Sequence, residues 1–332
     1  IAPARQVTTM LASTMPTVED TPTETAVSET MLRWSRWQDL SEWLEPLLLT
    51  PGNTASFVAD INQCATTLVK LVDEDPDMAI FHIVHVSPEK MARYGVLHSM
   101  HTAMLITLVG RRKDWVGPRI DSAVKAALTM NLSITALQIT LAQQVEPPTA
   151  DQRQAIAAHP LATWHMLRQL GVTDEDWLIA VAQHHEQPDG KGYPQGLTEI
   201  DQTADALRTC DVFGAKLSPR ISRSGMLSTR AAAEIFRQRS AGYFGATIIR
   251  ELGLYPPGCL VELNTGEQGV VIRRTPDPMA PEIVLLTDEL GQRRFTPIRT
   301  RTGRAHGRSV VGACENDSVG GFFEPNSVLA VV

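Results

Sequence analysis

Between Met31 and Leu252 apolar residues return at intervals of three and four with few strand-like interruptions, and that period makes a helical bundle the expected architecture. The stripe opens with Leu32, Trp34, Trp37, Leu40, Trp43, Leu44 and Leu47 and breaks at Pro51-Gly52. Tryptophans at such spacing read as core. Further helices are expected over Ala55–Val72 and from the N-cap and first-turn proline of Ser87-Pro88-Glu89 through His98 to Val109. The period continues over Ile120–Asn131, Thr135–Gln144, Ala150–Leu170 with a bend at Pro160, Asp174–Glu186, Glu199–Leu217 and Thr229–Leu252. After Tyr255-Pro256-Pro257-Gly258 short β-type runs take over, Leu260–Leu263, Gly269–Arg273, Glu282–Leu286 and Arg293–Thr296, too little for a catalytic domain of their own. The fold class is therefore mainly α with a small C-terminal β module.

The organisation expected from this is a flexible Thr-, Ser- and Pro-rich arm over 1–30, an N-terminal helical segment over 31–85 and a helical domain over 86–253. A β extension over 254–298 and a loose tail over 299–332 follow, the tail carrying Arg299, Arg301, Arg304 and Arg308 as solvated charge. A chain of 332 residues that is 43% hydrophobic can bury a sizeable core. Thirty basic against 37 acidic residues give a net charge of −7, the wrong sign for tracking a phosphate backbone, so no DNA partner is expected. No apolar run is expected to reach the roughly 18 residues that a membrane-spanning helix needs, and Ile1–Asp20 lacks the apolar core of a secretory signal. Four cysteines without CxxC spacing read as thiols of a reducing compartment, and the expectation is a cytoplasmic protein. A chain that opens on Ile1 is expected to be a truncated or processed product.

Eight of the nine histidines fall between positions 82 and 185. Facing helices of a bundle can bring several imidazoles to one metal ion. Adjacent His184 and His185 diverge by about 100° on a helix, so they can converge only where a helix ends, and Pro188, Gly190 and Gly192 supply that end. For His82, His85, His101 and His165 the plain reading is satisfied core or surface histidine.

The string His184-His185-Glu186-Gln187-Pro188-Asp189-Gly190-Lys191-Gly192-Tyr193-Pro194 is long and rare. It resembles the signature of the HD-GYP family, metal-dependent phosphohydrolases that hydrolyse cyclic di-GMP on a helical bundle holding two or three iron or manganese ions. The resemblance covers about residues 75 to 290. It implies His98, His159, His184, His185 and Asp211 as metal ligands. It also implies catalytic roles for Asp189 and for Arg220 and Arg223, the latter two facing substrate phosphates, and a partner-docking surface at Gly192, Tyr193 and Pro194.

The resemblance fails at the name-giving motif, where the expected His-Asp-x-Gly-Lys reads Met130-Asn131-Leu132-Ser133-Ile134. The ligand histidine is Met130, the bridging aspartate is Asn131 and the phosphate-side lysine is Ile134. Gly214 replaces a second aspartate after Asp211, and Tyr94 stands one turn before His98 where some members place a glutamate. Without a bridging carboxylate a metal pair is poorly held, which leaves a single ion on His159, His184 and His185, or none, with His98 and Asp211 as a weak half-site. The expectation is a degenerate member that binds cyclic di-GMP or a partner domain with weak or no phosphodiesterase activity. The alternative is an active enzyme on cyclic di-GMP or another phosphoester.

Overall fold

The computed structural model describes residues 24–332 except 86, 88, 238–241, 316–318, 320 and 322. Most of the arm expected over 1–30 lies outside the described residues, but its end is helical. Helix α1 runs Glu24–Leu49, with Pro46 in its last turn, and buries Trp34, Trp37, Leu40, Leu44, Leu47 and Leu48. It packs on α2 (Phe57–Glu74). Helix α3 (Pro76–Val84) follows at once, because Asp75 accepts the Met78 N–H at 3.0 Å and Pro76 fits the first turn. The sequence reading missed α3, whose unbroken apolar run has no helical period to display.

The short α4 (Glu89–Ala92) leads into α5 (Tyr94–Arg112), buried without interruption from Tyr94 to Gly110. A helix covered on every face must lie at the centre, and α6 (Pro118–Thr129), α7 (Thr135–Gln143), α10 (Gln202–Leu217) and α12 (Gly242–Leu252) all pack on it. Gly95 allows the close approach of α7, since a Cβ there would stand 2.5 Å from the Thr135 carbonyl. Helix α8 (Ala150–Gln169) is nucleated by a reciprocal cap between Thr149 and Gln152 and runs through Pro160. Asp174 and Asp201 cap α9 (Glu175–Gln183) and α10. The single helix expected over 229–252 is two, α11 (Ser228–Arg237) and α12. Pro118–Gln143 is apolar and long enough to pass as a membrane span, contrary to the sequence reading; a 3-10 turn at Leu132–Ile134 divides it, and it packs inside the bundle.

Strands β1 (Leu260–Leu263), β2 (Gln268–Arg273), β3 (Glu282–Thr287), β4 (Arg293–Arg301) and β5 (Val310–Cys314) form one antiparallel sheet in the order β4-β3-β2-β1-β5. The tail is therefore not loose. Its β5 pairs with β1, and α13 (Pro325–Leu329) buries Val328 and Leu329 against α1 and β4. Nor are its arginines all solvated. Buried Glu267 accepts Arg294 at 3.1 Å and Arg308 at 2.7 Å, while Arg299 pairs with Glu282 at 3.1 Å and donates to the Val332 carbonyl at 2.7 Å. Arg274 joins sheet to bundle through Asp77.

Glu267 thus neutralises two arginines from two strands' ends while only 1% of its side chain is exposed. Replacing it by Gln (Glu267→Gln) removes the buried carboxylate charge that both guanidiniums share, and urea unfolding is expected to show a loss of about 1–3 kcal/mol.

Candidate metal centre

Helix α9 stops at Gln183, so His184 and His185 sit where the backbone turns, and both rings face His159 of α8. The three residues offer ligand nitrogens that all lie within 4.8 Å of one another. His159 Nδ1 lies 2.6 Å from the Ile156 carbonyl and His184 Nδ1 lies 2.6 Å from the Val181 carbonyl. A carbonyl only accepts, so each Nδ1–H donates and each Nε2 presents a lone pair. Those two Nε2 atoms face each other at 3.0 Å. Two lone pairs at that distance repel unless a cation lies between them, and imidazoles about 2.1 Å from one ion stand about 3.0–3.4 Å apart. Burial draws His159 down to about 3 and also lowers His184 and His185, which keeps all three neutral and ready to coordinate.

The loop after the pair is built to hold this geometry. Glu186 is fully buried, its two carboxylate oxygens accepting the N–H groups of Gln195 at 2.7 Å and Leu197 at 2.9 Å. Only glycine fits at Gly192, where a Cβ would stand 2.4 Å from Glu186 Cα. Tyr193 then stacks on His185, centroids 4.5 Å apart and planes 22° apart. Its ring therefore faces the triad, and of the expected docking residues Gly192, Tyr193 and Pro194 none is fully exposed. Sequence reading treated Glu186 as part of a string and missed that it staples the loop; the carboxylate next to two ligand histidines was the available signal.

The other expected ligands close on each other. His98 Nε2–H donates to Asp211 Oδ1 at 2.6 Å, both groups being buried, and His98 Nδ1 has no partner among the described residues. Gly214 lies beside that nitrogen, where a Cβ would stand 3.8 Å away. Burial alone would raise the Asp211 carboxyl, but the His98 hydrogen bond and the nearby imidazoles outweigh it and hold it well below the usual range. Tyr94 stacks on His98, centroids 5.4 Å apart, and Arg220 lies 4.9 Å over the Tyr94 ring while donating to its hydroxyl at 2.9 Å. Arg220 is thus brought to the half-site. Arg223 is exposed and donates to the Ala215 carbonyl, and exposed Asp189 accepts the Lys191 N–H as a turn would; neither is brought to the triad by these contacts.

Met130, Asn131 and Ile134 are all buried in the turn behind α8. Ser133 between them donates to the His159 carbonyl at 3.3 Å, so the stretch still braces the triad. Asn131 accepts the Ile134 N–H at 2.8 Å through its backbone, while its side-chain nitrogen has no partner among the described residues. The donor set fits one ion on three imidazoles. It does not fit a bridged pair, because the stretch carries no carboxylate.

Residues 87–248 match the family described as HD domain. These residues are an HD domain. Their HHE and GYP strings resemble the signature of the HD-GYP branch of that superfamily. The cyclic di-GMP phosphodiesterase PA4108 of Pseudomonas aeruginosa is 29% identical over 192 residues, pairing 54% of this chain with 45% of that protein. The cyclic di-GMP phosphodiesterase PdeB of Borreliella burgdorferi is 20% identical over 182 residues, pairing 53% with 48%. The chain spans about half the length of the curated relatives it matches. The solved structure of Bd1817, an HDG"Y"P protein from Bdellovibrio bacteriovorus, shares the fold with a TM-score of 0.51 at 15% identity, covering 70% of this chain and 73% of that one.

Of the four further histidines, three fit the plain reading of satisfied core or surface residue and His85 departs from it. His165 of the HD domain is exposed, but His82 and His101 are buried and bonded, Nδ1 to Nε2 at 3.0 Å, and His85 is buried with neither ring nitrogen partnered. Burial lowers all three, His85 to about 3.

Two outcomes follow. The protein purified with Mn²⁺ or Fe²⁺ is expected to retain one ion per chain by elemental analysis, and His184→Ala to retain none. A histidine held neutral in the fold takes up a proton on unfolding below about pH 6.5, so the unfolded state binds more protons and stability falls as pH falls. Thermal melts in chelator are expected to lose up to about 1.4 kcal/mol per pH unit for His85 between about pH 6.5 and 3, with His82 and His101 adding in the same direction, and Phe at His85 (His85→Phe) to lessen that slope.

Proposed function

We propose that this chain is a regulatory member of cyclic di-GMP signalling, with a single-ion site and weak or no phosphodiesterase activity. One observation carries the reading: Met130, Asn131 and Ile134 replace a ligand, a bridging carboxylate and a lysine within one turn, and all three side chains are packed into the core. The relatives named as cyclic di-GMP phosphodiesterases support the nucleotide as ligand. Arg220, held over the Tyr94 ring that stacks on His98 and with its Nε unpartnered among the described residues, is the group to receive a phosphate oxygen. A divalent ion of the iron or manganese type, when bound by His159, His184 and His185, would polarise a phosphate oxygen. Those residues' own part is to stay neutral and to aim Nε2 inward through their bonds to Ile156 and Val181. The free thiols of Cys64, Cys210 and Cys259, all buried, suit a cytoplasmic setting.

A second reading rests on the intact triad: slow hydrolysis of cyclic di-GMP or another phosphoester on one ion. The test is turnover of cyclic di-GMP by protein prepared without oxygen and supplied with Fe²⁺ or Mn²⁺, with His184→Ala as control. The regulatory reading expects nucleotide binding by calorimetry and turnover no greater than in the control. Turnover that the control abolishes selects the second reading. The triple change Met130→His, Asn131→Asp and Ile134→Lys is expected to raise bound metal from one ion toward two and to raise turnover with it.

A further inference from the structure

A cavity of about 390 Å³ lies away from the triad, where α1, the end of α3, the α4 segment and the chain's C-terminal segment meet. We infer that it is a ligand site for a small aromatic carboxylate, distinct from the metal centre. The first sign is His85, which lines the cavity at 2% exposure with both ring nitrogens unpartnered. Leaving a buried donor and acceptor unmade costs about 1–3 kcal/mol each, and the ring is clamped by Phe81 at 5.7 Å and Phe323 at 4.6 Å. A bound molecule answers that cost directly.

The second sign is charge. Lys90 Nζ lines the same cavity and donates to the carbonyls of His82 and His85, which cap the end of α3. That leaves one of its three protons uncommitted, and among the described residues no carboxylate pairs with it. Arg93, the other cation of the wall, is already neutralised by Glu45 at 2.7 Å and bonded to Ser41. Burial brings Lys90 down to about 7, so an anion arriving beside it holds its proton in place. One uncompensated cation matches one negative charge. Exposed Glu324 at the rim disfavours a polyanion such as a nucleotide.

The third sign is the wall. Trp34, packed beside His82, and Phe323, packed beside His85, add aromatic surface to the lining, which suits an aromatic ring carrying a single acidic group. Such a ligand would place its carboxylate on Lys90 and a second polar atom on His85.

The test uses the full chain with benzoate, 4-hydroxybenzoate and indole-3-acetate as probes and benzamide as the neutral control, read by calorimetry and by the ¹⁵N resonances of the His85 ring. Saturable binding of at least one carboxylate is expected, with benzamide weaker by about tenfold or more and with Lys90→Met and His85→Phe each raising Kd by about tenfold or more. His184→Ala is expected to bind the carboxylate as the wild type does. Where Lys90→Met does not fold, the His85 resonances of the unmodified protein decide, moving only if the ligand reaches that ring. No saturable binding of any of the three up to roughly 20 mM overturns the site. Equal binding in His85→Phe, or loss in His184→Ala, also overturns it.

Discussion

Complete burial of α5 is the constraint from which the remaining architecture follows. A helix with no face toward water needs neighbours on all sides, and it needs its polar side chains answered from within the protein. Thr102 and Thr107 turn back to carbonyls of their own helix at 2.8 and 2.7 Å. His98 and His101 cannot do this and reach outward, to Asp211 of α10 and to His82 of α3. Those two bonds fix which helices lie beside α5 and at what height. They also explain why the half-site ligands exist as a closed pair: in a dry core an unpaired Asp211 would be costly, and His98 is the group that compensates it.

The His159–His184 contact obeys a different logic. There the backbone carbonyls of Ile156 and Val181 take the Nδ1 protons, and the fold turns two acceptors toward each other. A core built only for stability would have alternated donor and acceptor, as a pair such as His98 and Asp211 does. Holding two lone pairs at 3.0 Å is a local expense that a cation relieves. The loop staple on Glu186 and the stacked Tyr193 keep the third imidazole from relaxing away.

Local signals were legible in the sequence and long-range ones were not. The helical period of α1 and α5, the turn after Tyr255 and the triad in its rare string are all written within short windows, and His184 and His185 meet at a helix end as their adjacency requires. The pairing of β5 with β1 was hidden because β5 is half-exposed and its partner lies some fifty residues earlier, so composition alone made the tail look unstructured. Arg299 and Arg308 looked like solvated charge for the same reason; only the folded chain brings Glu282 and Glu267 to them. The cluster of His82, His85 and His101 is assembled from two helices, and nothing within either helix announces it.

The changed stretch at 130–134 has a consistency that chance loss would lack. Met130 fills the place of an imidazole with apolar volume at 0% exposure, and Ile134 does the same for a lysine at 7%, so the turn is packed as core. Ser133 and Asn131 keep polar side chains there; Ser133 bonds to the His159 carbonyl and Thr163, whereas the Asn131 side-chain nitrogen, unpartnered among the described residues, is the cost that remains. Two dications about 4 Å apart at an effective dielectric near 20 repel by on the order of 15 kcal/mol, which a neutral amide does little to offset. One ion on three neutral imidazoles meets no such opposition. The packing of this stretch therefore leaves the three imidazoles, with their inward lone pairs, as the donor set that the surrounding structure supports.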